Sequence, residues 1–162
     1  MITTIQCIDE RLDLAKKVII ETEIPALFYV DKNKDGCLAS FGAMLNKYSV
    51  NDYRLHLQDD LMFADNINLY LPVIENHMKT KKLHVLSLFA PNRKLILKQY
   101  KEGKVIAPFP NYLWLQATIF SPQFQSALKK EYNNLSDKSI KDDDVFVAHV
   151  MKKYNVKAYV HL

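Results

Sequence analysis

The most informative segment of this 162-residue chain is residues 54–60, which read RLHLQDD. Leu55 and Leu57 alternate with more polar neighbours, and this period of two predicts a β-strand. Asp59 and Asp60 follow at the carboxyl end of that strand. Along the rest of the chain, short apolar runs alternate with segments of helical periodicity, so the sequence predicts an α/β fold.

The segments on either side supply the other strands and helices. We predict further strands at residues 3–8, 26–30, 84–89, 112–120 and 156–162, and helices at 9–21, 38–48, 66–78, 121–132 and 142–154. Proline lacks an amide hydrogen, so Pro72 is expected to kink or restart the third helix. Residues 94–110, with Gly103, Pro108 and Pro110, are predicted to form a loop-like insert.

Composition indicates an ordinary globular domain and excludes several classes of protein. Hydrophobic types make up 49% of the chain and charged types 25%. No apolar run approaches the ~18–20 residues that span a bilayer. No secretory signal is visible, and Cys7 and Cys37 are expected to be reduced, so we predict a cytoplasmic protein. Only three glycines occur, which excludes Gly-rich phosphate loops.

The charge is mildly basic, with 22 Lys and Arg against 18 Asp and Glu. Such a balance suits an anionic ligand without identifying one. Basic residues gather between Lys79 and Lys104, but no aromatic-interleaved platform for stacking bases accompanies them, so solvated helix ends and a loop are favoured over nucleic-acid binding. Each member of a group of four basic residues is either a phosphate contact or a solvated surface charge: Arg11, Arg54, Arg93 and Lys94.

Three acidic segments are candidates for chemistry. Asp59 and Asp60 need a compensating cation if they end a buried strand, and Mg²⁺ or Mn²⁺ there would also hold a diphosphate; otherwise they cap the next element at the surface. Asp142–Asp144 suit a helix N-terminus, and one of them is alternatively a general base. Residues 31–38 match the start of an EF-hand loop, but Gly42 occupies the position of its last ligand, so a polar turn is favoured.

Five short motifs follow one another in an order found in a known family. They are CIDER at 7–11, YVD at 29–31 with Gly36 after it, LHLQDD at 55–60, VLSLFAP at 85–91 and DDVFVA at 143–148. In this order they resemble GT-A type glycosyltransferases, the nucleotide-diphospho-sugar transferase fold, and most of all its small bacterial and phage members. The resemblance implies one Rossmann-related domain over residues 1–162, with a mixed, mostly parallel sheet flanked by helices.

The resemblance also implies an activity and the residues that perform it. A UDP- or GDP-sugar would donate its sugar to an acceptor hydroxyl, with Mn²⁺ or Mg²⁺ bound by Asp59 and Asp60. Asp143 or Asp144 would be the catalytic base. The remaining roles implied are a phosphate or nucleoside contact for Arg11, a place near the nucleoside for Asp31, and the lining of the acceptor side of the donor site for Trp114 and Gln116.

One departure from the family pattern concerns the end of the chain. Members of this type continue past the last strand with a Pro-containing turn and a histidine that joins the metal, whereas this sequence stops at Leu162. His161 is the residue expected to substitute as a metal ligand. The alternative hypothesis is a GT-A-like module that binds a protein partner without turnover, as small phage proteins do with host factors. Aromatic residues in the 94–112 insert offer a contact for a homodimer.

Overall fold

The computed structural model describes residues 1–63, 66–89, 93–108, 115–136 and 140–161. The described strands are β1 (Ile2–Ile8), β2 (Leu27–Asp31), β3 (Arg54–Gln58), β4 (Val85–Ser87), β5 (Ile106–Pro108), β6 (Ala117–Phe120) and β7 (Ala158–His161). The described helices are α1 (Leu12–Thr22), α2 (Cys37–Lys47), α3 (Ile67–Lys81), α4 (Arg93–Lys101), α5 (Pro122–Asn133) and α6 (Asp143–Lys153). A 3₁₀ turn, Asp9–Arg11, joins β1 to α1.

The strands form one mixed sheet in the order β2-β1-β3-β6-β4-β7-β5. Parallel pairs join β1 to β2, β1 to β3 and β4 to β7, whereas β6 and β5 pair antiparallel with their neighbours. Five strands therefore point the same way, and their carboxyl ends lie at one edge of the sheet. This arrangement confirms the predicted α/β fold with a mixed, mostly parallel sheet flanked by helices.

Helices cover both faces of the sheet. On one face α2, α5 and α6 pack over a core that includes Phe41, Phe120 and Phe146. On the other face α1 and α3 pack over Leu55 and Leu57. Because helices cover both faces of the sheet, the central strand β3 is buried on both sides, and its leucine side chains are inaccessible to solvent.

The predicted elements are largely confirmed, with one error. The described part of the predicted loop, residues 94–108, is not a loop, because it contains most of helix α4 and all of strand β5. Gly103 has a φ of +70°, and its amide donates to the carbonyl of Tyr100, so it ends α4 rather than breaking it. Helix α3 runs from Ile67 to Lys81 without restarting at Pro72. Of the strand predicted at 112–120, residues 112–114 lie outside the described residues.

Arg54 and His56 form a buried polar pair on one face of β3. Arg54 is neither a phosphate contact nor a surface charge, because its side chain is 0% exposed and donates to the carbonyl oxygens of Tyr48 and Ser49. His56 lies edge-on to Phe41, and burial lowers the pKa of His56 to about 3. It is therefore a neutral core side chain at physiological pH.

None of the described helices has the length and apolar character needed to cross a membrane.

Candidate functional site

A cleft of about 400 Å³, with charged and polar residues among those that line it, opens at the carboxyl edge of β1, β2 and β3. Register places Ile8 of β1 beside Asp31 of β2, and Gln6 of β1 beside Gln58 of β3, so the three strands end together. The residues that follow each strand then converge on one space. Ligands of open α/β sheets bind in this kind of position, outside the carboxyl ends of the strands.

Asp31 organises the wall of the cleft between β2 and α2. Its carboxylate accepts hydrogen bonds from the amides of Asp35 (3.1 Å) and Gly36 (3.2 Å) and from the hydroxyl of Ser40 (2.7 Å). Gly36 has a φ of +99°, a conformation that glycine adopts without strain. Burial raises the pKa of Asp31, but these hydrogen bonds outweigh it and hold the pKa below its ordinary value. Asp31 is therefore an ionised carboxylate that fixes the turn.

Arg11, Asp59 and Asp60 form an ionic cluster in the cleft. One guanidinium nitrogen of Arg11, Nη2, lies 3.0 Å from Asp59 Oδ1 and 3.4 Å from Asp60 Oδ2. Asp59 is only 6% exposed, whereas the side chain of Asp60 is 54% exposed. Burial raises the pKa of Asp59, Arg11 opposes that rise and Asp60 adds to it. The compensating cation that the two carboxylates require is thus supplied by the chain itself.

The acidic start of α6 lies beside the start of α2, next to one residue that lines the cleft. Leu38 at the start of α2 donates its amide to the carbonyl of Lys141 (3.3 Å), which brings the two segments together. Cys37 lines the cleft, and its pKa is raised by burial and then by the carboxylates of Asp143 and Asp142. Residues 142–144 therefore lie close to Cys37.

Asp143 and Asp144 differ in their exposure to solvent. Asp143 is 4% exposed; its Oδ1 accepts from the amide of Asp144 (2.9 Å), and its Oδ2 has no partner among the described residues. Burial raises the pKa of Asp143 to about 6. Asp144 is half-buried, and burial also raises its pKa, with Asp142 adding to the effect. Of the two, Asp144 is the carboxylate that solvent reaches.

Two thiols line the cleft without the properties of nucleophiles. Cys7 and Cys37 are free cysteines, as the sequence predicts. Burial, followed by the charge of Asp59, raises the pKa of Cys7 to about 11. The pKa of Cys37 is raised as well. Both therefore stay protonated at neutral pH, and covalent catalysis through a thiolate is not favoured.

The carboxylate pair suits a divalent cation that brings other ligands with it. Asp59 and Asp60 offer oxygen atoms, the ligands that Mg²⁺ and Mn²⁺ prefer. Within the described residues, no group of three His, Cys, Asp or Glu side chains is placed to hold a metal ion. Magnesium is often held by one or two carboxylates together with substrate phosphates. The residues therefore fit a cation shared with a phosphate-bearing ligand rather than one enclosed by the protein.

The sequence predicts three further residues near the site, namely His161, Gln116 and Trp114. His161 ends β7, three strands from β3 in the sheet order, and at roughly 4.8 Å per strand that is about 14 Å. The structure thus does not bring His161 to Asp59 and Asp60. Gln116 lies next to the cleft, where its carbonyl accepts from the amide of Gln58 at 2.9 Å. Trp114 lies outside the described residues.

Sequence reasoning missed several residues of the cleft. Ser40 and Cys37 come from α2, and Gln6 donates from its side chain to the carbonyl of Cys37 at 3.1 Å. Lys34 also lines the cleft and pairs with Glu10. Gln58 also lines the cleft, and its position directly before the two aspartates could have indicated this. The other four residues could not be identified from the sequence, because they reach the cleft only through the packing of β1 against α2.

The basic segment folds at a distance from this cleft. Lys81 and Lys104 line a separate depression of about 460 Å³ together with Leu83 and Tyr159. Lys104 is paired with Glu102 (2.8 Å), and Lys79 is paired with Glu75 (2.8 Å). Part of the positive charge that the sequence concentrates here is thus neutralised within the chain.

Comparison with known proteins gives only distant likenesses. No protein-family model matches the chain, and no curated protein matches it. Among solved structures, A197 from STIV is 13% identical with a TM-score of 0.48, covering 99% of this chain and 81% of that one. A CMP:2-keto-3-deoxy-manno-octonic acid synthetase complexed with CTP is 8% identical with a TM-score of 0.44, covering 99% and 89%. At these scores neither likeness bears on activity, so the function is argued from the cleft.

Proposed function

We propose that the cleft binds the diphosphate of a nucleotide sugar together with Mg²⁺ or Mn²⁺, and that the protein transfers the sugar to an acceptor hydroxyl. The observation that carries this proposal is the cluster of Arg11, Asp59 and Asp60 at the carboxyl edge of three parallel strands. A guanidinium is a strong phosphate ligand, and an adjacent carboxylate pair is a ligand for a hard cation.

In this proposal the acidic residues of the cleft bind the cation, and the basic residue binds the phosphates. Asp59 and Asp60 would hold the cation, which supplies positive charge to the leaving nucleoside diphosphate. Arg11 would contact the phosphates. Asp31 keeps the β2–α2 turn in place through its three hydrogen bonds, and so shapes the wall next to the donor.

Asp144 is the carboxylate we assign as general base. It is half-buried, and burial raises its pKa above that of a solvated aspartate, which makes its carboxylate a better proton acceptor. Asp143 is too buried to touch an acceptor and supports the start of α6 through the amide of Asp144. An acceptor hydroxyl that approaches from the Cys37 side of the cleft would give its proton to Asp144.

The donor site is tested with a thermal-shift panel of UDP, GDP, CDP and UDP- and GDP-sugars, each with and without Mn²⁺. A ligand at a hundred times its Kd stabilises the folded state by about 2.7 kcal/mol. For a chain of this size that corresponds to a rise in Tm of roughly 5–10 °C. We expect such a rise with one nucleotide, and only when Mn²⁺ is present.

Asp60→Asn is the variant of choice because the exposed side chain of Asp60 can change without disturbing the core. Asp13→Asn is the matched control. Asp13 is an exposed helix carboxylate paired with Lys16, so this substitution removes the same charge at a different place on the surface. The shift should vanish in Asp60→Asn and persist in Asp13→Asn. An equal shift in both variants, or no shift with any nucleotide in the native protein, contradicts the donor site.

A further inference from the structure

Both cations that line the cleft are already engaged by carboxylates of the same chain. Arg11 bridges Asp59 and Asp60 through one nitrogen, at 3.0 and 3.4 Å. Lys34 is paired with Glu10. A ligand entering this cleft therefore meets groups that must first give up a partner.

An anion arriving alone is disfavoured by the charges around it. The lining contains two cations, Arg11 and Lys34, against three carboxylates, Asp31, Asp59 and Asp60, which gives a net charge of −1. A diphosphate that drew Arg11 away would also leave Asp59 without a counter-charge. Because Asp59 is only 6% exposed, such an unpaired charge is costly.

A divalent cation arriving alone meets the converse problem. To reach Asp59 and Asp60 it must displace the guanidinium, which would then be left beside a second positive charge. When the two ligands arrive together, each supplies what the other removes: the cation replaces Arg11 on the carboxylates, and the phosphates replace the carboxylates on Arg11.

We propose that Arg11 makes the binding of a divalent cation and of a diphosphate mutually dependent, holding Asp59 and Asp60 in the free protein and passing to the phosphates when the cation binds. The inference rests on the proposed function. Arg11 lies directly before α1 and its side chain is 38% exposed, so it can make this exchange by rotating its side chain alone. Coupling of this kind is reciprocal, and its ordinary size is roughly 5–150-fold in affinity.

The experiment measures the Kd of Mn²⁺ by electron paramagnetic resonance of the free ion, without nucleotide and with UDP or GDP, corrected for Mn²⁺ that the nucleotide binds in solution. In the native protein we expect weak binding of Mn²⁺ alone and binding at least tenfold tighter with the nucleotide, within the usual range of coupling. In Arg11→Gln, Mn²⁺ alone should bind more tightly than in the native protein, and the nucleotide should improve its Kd by a smaller factor, because only the direct contacts between the cation and the phosphates remain to couple the two ligands.

Lys17→Gln is the control, because Lys17 is an exposed lysine of α1 paired with Glu21 and its loss changes net charge equally. It should bind Mn²⁺ and nucleotide as the native protein does. If Arg11→Gln binds Mn²⁺ no better than the native protein, or keeps the full coupling, Arg11 is not the coupling residue. If the native protein binds neither UDP nor GDP at any Mn²⁺ concentration, the proposed function fails and the coupling with it. The nucleotide-free comparison separates these cases, because it reports on Arg11 alone.

Discussion

Replacing Asp143 by asparagine should stabilise the protein at alkaline pH and leave it unchanged in acid. The carboxyl group is 4% exposed, and its Oδ2 has no partner in the described part of the chain. Burial raises its pKa from 3.8 to about 6. The folded protein therefore holds this proton more tightly than the unfolded chain does. Asparagine keeps the acceptor for the amide of Asp144 and carries no charge.

The size of the effect follows from the pKa difference. A rise from 3.8 to about 6 is roughly two units, and at 1.36 kcal/mol per unit this amounts to about 3 kcal/mol. The contribution of protonated Asp143 is complete below the unfolded pKa and is lost as the pH rises through 6. The free energy of unfolding of Asp143→Asn should thus exceed that of the native protein by up to about 3 kcal/mol at pH 8. In Tm this is roughly 6–12 °C.

Urea unfolding at pH 4, 6 and 8 measures this difference, with the slope m checked for constancy. Other titrating groups, including His56, are common to both proteins and cancel at each pH. Asp142→Asn removes an exposed carboxylate from the same helix start and should show no comparable gain at pH 8. If Asp143→Asn gains nothing at pH 8, or gains equally at pH 4 and pH 8, Asp143 is not the destabilising buried charge inferred here.

Two further substitutions test the packing of the core and the assignment of the base. In Gly42→Ala the new Cβ would lie 2.0 Å from Cζ of Tyr132, so urea unfolding should show a loss of roughly 1–3 kcal/mol instead of the usual gain for alanine in a helix. Adding Tyr132→Leu should recover part of it, and a Gly42→Ala protein more stable than the native one would refute the packing. Asp144→Asn should lower the rate of sugar transfer by roughly 10²–10⁴ while the nucleotide-dependent shift in Tm persists. An unchanged transfer rate would exclude Asp144 as the base.

Local sequence signals predicted the elements of the fold because they act over a few residues. Ser121 followed by Pro122 predicted the start of α5. In the structure the Ser121 hydroxyl caps this helix by accepting a hydrogen bond from the amide of Phe124 at 3.2 Å. The alternation of residues 54–60 gave the central strand with its observed bounds. The prediction was wrong for residues 94–108. Gly103, Pro108 and Pro110 led to the prediction of a loop, although they all follow the last residue of α4.

The sequence predicted the carboxylates of the candidate site but not the residue that pairs with them. Asp59 and Asp60 stood out because they adjoin each other at the end of a strand. Their counter-charge did not, since Arg11 is 48 residues away and is one of three arginines in the chain. Arg54 carries the same charge as Arg11, yet it is buried at the start of β3, the end of that strand opposite to Asp59.

The sequence by itself determined the α/β class, most element positions and the acidic pair that ends β3, because periodicity and capping are properties of neighbouring residues. Only the tertiary structure decided that Arg11 compensates Asp59 and Asp60, that Asp143 is buried while Asp144 reaches solvent, and that His161 lies three strands from the cleft. The physical reason is that charges interact through space and with the dielectric around them. Strand order and burial, which set those distances and that environment, are fixed only when the sheet assembles.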